Sequence, residues 1–299
     1  AVYLGYTAFG ARSYAGNFDA DGLREAVEYA HERGRKVYVT VNTLVKQCET
    51  DDLCDVLELL GNTNVDAVLV QDLGVARIAQ ARFPQLVLHA STQMTINNAQ
   101  GAKLMQKMGF ARVVPARECS LEELRKMADT GVEVEAFAHG ALCVAVSGQC
   151  LFSSMIGGRS GNRGRCAQPC RLPYSLDDGT SGYLLSTKDL MLIDRLPELR
   201  DAGVYSFKLE GRMKRPEYVG VITRAYREAL DAAEAHVPYH PDQKTLDGLR
   251  QVFNRGGFTE GYAMQKSNAA LMSWQRPNHW GIQVGRIMSM RGPLAQVLL

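Results

Sequence analysis

Short apolar runs alternating with amphipathic helical stretches constrain this chain more than any other feature, because that order builds strand–helix units around a parallel sheet. Seven runs read as strands: Ala1–Gly5, Lys36–Thr43, Asp66–Gln71, Gln85–Ala90, Ala111–Ala116, Glu133–Ala138 and Val204–Leu209. Helices fit between them. Asp19–Arg33 carries Leu23, Val27 and Ala30 on one face, and Asp51–Leu60 carries Leu53, Val56, Leu57 and Leu60. Ser120–Thr130 opens with a Ser-x-x-Glu capping box and ends before Gly131. Eight such units make a TIM-type barrel, so the expectation is an α/β fold: a (β/α)8 barrel lacking its first strand–helix unit. An open doubly wound sheet is the runner-up. The chain begins at Ala1 without Met and stops in a strand-like run, and so reads as a fragment.

The connection between Ala138 and Val204 is far longer than the others and reads as an insertion, residues 140–187, mounted over the C-terminal ends of the strands. The barrel with its insertion is expected over 1–235, a connecting segment over 236–276, and the start of a β-rich C-terminal module over 277–299, where apolar and polar residues alternate around Arg291-Gly292. Active sites on barrels sit at the strand C-termini. Those ends are polar here: Asn42, Gln71, Asp72, His89, Ser91, Gln93, Arg117, Glu118, His139, Lys208, Glu210 and Arg212. From them we take His89, Gln93, Arg117, His139, Lys208 and Arg212 as candidate catalytic residues.

Four of the seven cysteines, Cys143, Cys150, Cys166 and Cys170, fall inside the insertion, with gaps of six, fifteen and three residues. No apolar run approaches the roughly 18 residues needed to cross a bilayer, and no signal segment opens the chain. A cytoplasmic location is therefore expected. Disulfides are rare in that reducing compartment, which turns the clustered cysteines toward metal ligation or redox chemistry. Three occupants are open. An iron–sulfur cluster tolerates varied spacing and suits Pro169 beside Cys170. Zinc favours two close pairs, and only Cys166 and Cys170 form one. Plain thiols or disulfides are the third. His139, four residues before Cys143, also allows a Cys–His nucleophilic pair. The scattered Cys48, Cys54 and Cys119 read as small buried or neutral residues.

Between Cys150 and Cys166, residues 157–165 hold four glycines, three arginines and no acid. With a net charge of only +2, any basic surface must be local. The loop is expected to be flexible, cationic and exposed. It either simply spans the distance or contacts RNA phosphate through Arg159, Arg163 and Arg165, with Arg171 beside them. Lys208, Arg212, Lys214 and Arg215 would enlarge that patch. Phe152, Tyr174, Trp274 and Trp280 are candidates for stacking on bases, although core packing is the commoner fate of such residues.

The run Glu135-Ala-Phe137-Ala-His139-Gly140-Ala-Leu-Cys143, followed by Gly148-Gln-Cys150-Leu-Phe-Ser153, resembles the signature of the collagenase-like peptidase family U-32. AVYLGYTAFGARSYAGNF, HASTQMTINN, FKLEGRMKRPEYV, FNRGGFTEGY and RPNHWGIQVGRI are similar to the same family, so the resemblance covers essentially the whole chain. It implies a preceding strand of the Leu-Leu-Ala-Pro-Ala-Gly type. It also implies that Cys143, Cys150, Cys166 and Cys170 ligate an iron–sulfur cluster, of the 4Fe-4S kind. Its further implications are oxygen-independent hydroxylation of a tRNA wobble uridine or a ribosomal RNA cytidine, with prephenate as co-substrate, and a second member of the family as partner. His89, Gln93, Arg117, Lys208 and Arg212 would then form a cationic pocket for a dicarboxylate. The alternatives are peptide hydrolysis, for which the chain offers neither a His-Glu-x-x-His helix nor a Gly-x-Ser-x-Gly elbow, and a non-catalytic scaffold.

Overall fold

The apolar runs become strands because their residues are buried on both faces of a parallel sheet, one face under helices and the other inside the curve of the sheet. The computed structural model describes residues 1–211, 213–265 and 268–298. In chain order the elements are β1 (Val2–Gly5), α1 (Ala20–His31), β2 (Val37–Val41), α2 (Thr50–Asn62), β3 (Ala67–Val70), α3 (Leu73–Arg82) and β4 (Leu88–Ala90). Next come α4 (Ala99–Lys107), β5 (Arg112–Val113), α5 (Leu121–Ala128), β6 (Glu133–Ala141), α6 (Phe152–Gly157), β7 (Tyr174–Ser175), β8 (Ser181–Gly182) and β9 (Asp189–Met191). The last are α7 (Leu196–Asp201), β10 (Ser206–Leu209), α8 (Pro216–Glu234), α9 (Gln243–Val252), β11 (Phe258–Thr259), β12 (Arg286–Arg291) and β13 (Leu294–Leu298).

Seven strands run parallel in the order β1–β2–β3–β4–β5–β6–β10. They are the seven runs of the sequence with shifted bounds: only Arg112–Val113 of 111–116 joins the ladder, while β6 runs on past Ala138 to Ala141. β9 adds to β6 antiparallel, and β11 pairs parallel with β9. β7–β8 and β12–β13 form separate two-stranded sheets. The architecture is α/β, with a mixed, largely parallel sheet resembling the core of a (β/α)8 barrel. Among the described residues no helix is long and apolar enough to cross a membrane.

The sheet separates two apolar layers. Val37, Val39 and Val41 of β2 and Val134, Ala136 and Ala138 of β6 face outward, into one cluster with Leu23 and Val27 of α1, Leu57 of α2 and Met127 of α5. Leu23, Leu57 and Met127 are fully buried, and each contributes about 1.5–3 kcal/mol by leaving water. The alternate residues point inward, where Tyr38, Ala67, Leu69 and Val114 pack with Tyr3 and Phe137. Helix starts follow the local chemistry. Asp19 caps α1 by accepting from Gly22 N, and Ser120 and Glu123 complete the capping box of α5.

One irregularity repositions a candidate residue. Pairing of β10 with β6 runs Lys208 to Phe137 and then Leu209 to His139, so Ala138 is an extra residue. The alternation that carries Glu135 and Phe137 inward breaks at this bulge. His139 is thereby turned toward α8. Gly140, at φ +123, makes the bulge feasible, since a Cβ there would stand 2.8 Å from Glu210 Cβ and 2.9 Å from its carbonyl oxygen.

Candidate functional site

The floor of the inner layer is ionic. Glu135 in mid-β6 accepts from Lys208 Nζ at 2.7 Å and from Arg112 Nη1 at 3.0 Å, while Arg112 also donates to Glu133 at 2.7 and 2.9 Å. Burial alone would raise the Glu135 carboxyl, but Lys208 and Arg112 outweigh it and hold it at about 2. His89 lies in this layer, edge-on to Tyr38 at 4.9 Å, with its Nδ1 lacking a hydrogen-bond partner among the described residues. Burial, reinforced by Arg112, depresses it to about 4, so the ring is neutral at pH 7. His89 is not among the residues lining the pocket above.

That pocket has about 430 Å³ of empty space, part of it open to solvent, and every inner strand contributes to its wall: Tyr3, Thr40, Leu69, Val114, Phe137 and Lys208 from within or just beyond the strands. Lys208 Nζ of β10 stands 4.4 Å from the centre of the Tyr3 ring of β1. Gln93 and Arg117 are also in the lining, so three of the six candidate catalytic residues converge here. Arg212 lies outside the described residues.

The rim carries three cations, Arg12, Arg117 and Lys208, against one carboxylate, Glu210. Glu210 sits 3.8 Å from Arg12. Its burial pushes the carboxyl up, yet Arg12 and Arg117 bring it net below the ordinary range. The Arg117 guanidinium lies 4.0 Å from the centre of the Phe137 ring, and its Nε is buried without a hydrogen-bond partner among the described residues. Burial lowers its pKa first, Glu210 raises it, and Arg12 lowers it. Neutral hydrogen-bonding groups complete the rim: Asn42 accepts from Ala11 N at 3.0 Å and donates to Ser91 Oγ at 3.2 Å. The chemistry available is the binding of a small anion between arginines over an aromatic wall. Arg12 escaped the sequence reading because it follows β1 in an irregular loop. Glu135 gave a signal, a charge in the middle of an apolar run, which is the mark of a buried ion pair.

His139 takes no part in the pocket. Its ring lies 5.4 Å from Tyr226 and 5.4 Å from Phe258, with Nδ1 3.2 Å from Tyr226 Oη. Tyr226 in turn donates to Ala138 O at 2.8 Å and accepts from Leu192 N at 3.1 Å. Burial depresses His139 to about 3. A neutral imidazole packed under α8 holds the bulge.

The cysteine segment is bolted to the pocket rim. Ser147 donates from N and Oγ to Glu118 Oε1 at 3.0 and 3.2 Å, and its carbonyl accepts from Thr95 Oγ1 at 2.7 Å. Gly148, at φ +78, passes so close to Gln93 that a Cβ would stand 2.1 Å from its carbonyl oxygen. Cys143, Cys150 and Cys170 are half-buried, Cys166 is exposed, and none is in a disulfide. Burial raises the Cys143 thiol, with Cys150 and Cys166 adding to the rise. Burial also raises Cys170, with the other three adding to it. The four sulfurs therefore lie within one another's field. Gln168 N donates to Cys166 Sγ at 3.3 Å. Among the described residues no three His, Cys, Asp or Glu side chains are grouped to hold a metal ion. Of the remaining cysteines, Cys119 is buried, with its thiol pushed up to about 12, Cys54 is buried and accepts from Arg82, and Cys48 is exposed.

The arginine loop differs from the expected free, flexible strand. Gly164, at φ +76, lets the loop lie on the turn after β1: a Cβ would stand 2.6 Å from Gly10 O, and Ser13 Oγ donates to Gly164 O at 2.8 Å. Arg163 forks onto Glu49 at 2.5 and 2.8 Å. Arg171 points inward, donating to Ser186 Oγ at 2.7 Å, Thr187 Oγ1 at 3.0 Å and Leu142 O at 3.3 Å. Arg159 and Arg165 remain exposed, Arg159 with its guanidinium 5.0 Å from the Tyr14 ring centre.

Residues 1–273 match the model of peptidase family U32, and the chain belongs to that family. It is 44% identical over 304 residues to the 23S rRNA 5-hydroxycytidine C2501 synthase of Escherichia coli, covering 97% of this chain and 46% of that protein. It is 37% identical to tRNA hydroxylation protein P1 of Bacillus subtilis, covering 85% of this chain and 64% of the relative. A protein named collagenase, from Porphyromonas gingivalis, is 34% identical, covering 88% of this chain and 68% of its own length. The chain thus spans about half to two thirds of the length of these relatives.

Proposed function

We propose that this chain belongs to an iron–sulfur enzyme that supports oxygen-independent hydroxylation of RNA, with prephenate, a dicarboxylate, in the pocket beside the cysteines. The observation that carries this reading is Arg117, which lines the pocket, has a buried Nε without a hydrogen-bond partner among the described residues, and donates its backbone N–H to Ser147 Oγ of the cysteine segment at 3.1 Å. The names of the Escherichia coli and Bacillus relatives support ribosomal or transfer RNA as the substrate class.

Four cysteines on one segment with no Asp or Glu between Cys143 and Cys170, none of them in a disulfide, suit an iron–sulfur cluster held by Cys143, Cys150, Cys166 and Cys170. A single zinc would draw its thiolates in to about 2.3 Å from one point, whereas in a 4Fe-4S cluster each cysteine takes its own iron and the sulfurs stand further apart. When bound, such a cluster supplies electron transfer or Lewis acidity. The chain's own residues do the rest. Arg12 and Arg117 neutralise the carboxylates of the anion, and Phe137 and Tyr3 give its ring an apolar wall. Lys208, pinned by Glu135, offers its remaining N–H groups from a fixed position. The open edges of β1 and β10, which meet through Tyr3 and Lys208, suit one more strand–helix unit closing a (β/α)8 barrel.

Peptide hydrolysis, suggested by the relative named collagenase, would need Cys143 with His139 as its base. The engagement of His139 by Tyr226 speaks against it. Mass analysis of tRNA and ribosomal RNA nucleosides from a strain lacking the gene tests the reading. A hydroxylated nucleoside should vanish and return with the gene. Unchanged RNA together with lost peptide cleavage would reverse the conclusion.

A further inference from the structure

Both tryptophans of the chain, Trp274 and Trp280, are exposed, at 55% and 38%, against the expectation that they pack in the core. Each is seated on a glycine. A Cβ on Gly182 would stand 3.6 Å from Trp274 Cε3 and 2.9 Å from its carbonyl oxygen, and one on Gly256 would stand 3.2 Å from Trp280 Cζ2. The short turn between them is fixed by Arg276, whose carbonyl accepts from Ser273 Oγ at 3.0 Å and from Trp280 Nε1 at 3.2 Å. The Arg276 guanidinium lies 4.8 Å from the Trp280 ring centre. The indoles are therefore held in place before any ligand arrives, Trp280 by its N–H to Arg276 O and Trp274 through its carbonyl to Tyr183 N.

The ledge is continuous with the cysteine segment. Tyr183 N donates to Trp274 O at 2.8 Å, and the β7–β8 hairpin leads back through Tyr174, whose hydroxyl donates to Pro169 O at 2.8 Å beside Cys170. Tyr174 stacks on Phe152 of α6, ring centres 6.4 Å apart. Apart from Asp177 and Asp178 at the tip of that hairpin, the charge along this path is positive: residues 136–176 and 261–298 contain no Asp or Glu, while Arg159, Arg165 and Arg276 lie along them. Exposed, pre-ordered aromatics beside cations are what an unpaired polynucleotide requires, since every base has a face to stack and every phosphate a charge to neutralise.

We infer that the Trp274–Arg276–Trp280 ledge is the RNA-binding surface, taking a single-stranded segment whose bases stack on the indoles. The arginine loop is mostly tied down by Glu49 and the turn after β1 and is not the main contact. This inference rests on the RNA reading above and names where that RNA lies.

Because the chain's intrinsic tryptophan fluorescence comes only from this ledge, the test is direct. A 12-nucleotide single-stranded RNA should quench it saturably, with affinity falling as salt rises. Trp274→Ala and Trp280→Ala should each weaken binding of the same RNA, read by anisotropy of a dye on its end, about tenfold. Trp280→Phe should keep most of the affinity, separating stacking from misfolding. Wild-type affinity in both alanine variants, or quenching by a collagen peptide and not by RNA, overturns the inference. Failure of the parent reading looks different. If the alanine variants restore the hydroxylated nucleoside in the deletion strain as well as wild type does, the ledge is refuted and the hydroxylase stands. If RNA binds through the ledge but the wild-type gene restores no nucleoside, the ledge stands and the hydroxylase falls.

Discussion

The Arg117 guanidinium rests 4.0 Å from the centre of the Phe137 ring, where the pocket wall meets the cysteine segment. Two strands make that meeting: Phe137 points inward from β6, and Arg117 follows β5 on the turn that Ser147 clamps through its Oγ at 3.1 Å. An anion in the pocket would thereby be held against the cysteine segment rather than anywhere along the inner face.

Arg117→Lys should weaken binding of prephenate at least about thirtyfold, ~2 kcal/mol, because an ammonium offers neither the planar fork nor the stacking surface. Calorimetric titration reads the loss, with the melting temperature as control. A variant that binds prephenate like wild type would remove Arg117 from the site.

Glu135→Gln should destabilise the fold by about 3–5 kcal/mol, since it leaves Lys208 and Arg112 facing each other without their shared counter-charge. The same carboxyl predicts acid behaviour. Its folded pKa of about 2 is below its ordinary 4.5, so its contribution is whole above pH 4.5 and disappears as pH falls through about 2. Urea melts across that window should show the decline in wild type and its absence in the variant.

His139 and His89 act earlier in an acid titration. Both are neutral in the fold, depressed from 6.5 to about 3 and about 4, so the unfolded chain takes up protons first and stability drops as pH falls below 6.5. His139→Leu should flatten the slope between pH 6.5 and 4, whatever it does to stability at pH 7. An unchanged slope would mean that the imidazole is already charged in the native protein.

Cys166→Ala should abolish the brown colour of anaerobically purified protein, and Cys48→Ala should leave it. Equal loss in both, or colourless wild-type protein with stoichiometric zinc, would contradict the ligand assignment.

Much of the fold was legible in the sequence because the parallel strands are apolar on both faces and separated by well-capped helices, as the Ser120–Glu123 box shows. Two strands of the main sheet were not: β9 and β11 hold three and two residues, too short for any periodicity. At the site, Gln93, Arg117 and Lys208 were readable as polar residues at strand ends. His139 was read at the mouth for the same reason, and the bulge at Ala138, which no alternation rule foresees, sends it to α8. His89 stands one layer lower than its place near a strand end suggested. Arg163 and Arg171 looked free because their partners, Glu49 and the hydroxyls of Ser186 and Thr187, are brought to them only by the folded chain.

The glycines that seat the cysteine segment have a consequence for biogenesis. Gly148 rests on Gln93, Gly164 on Gly10, Ser147 on Glu118 and Arg163 on Glu49. Every one of those landing points precedes the cysteines in the chain. On the ribosome, where domains form from the N-terminus onward, these landing points are made before Cys143 emerges, so the segment meets a surface already waiting for it and only the Arg171 anchor on Ser186 and Thr187 follows.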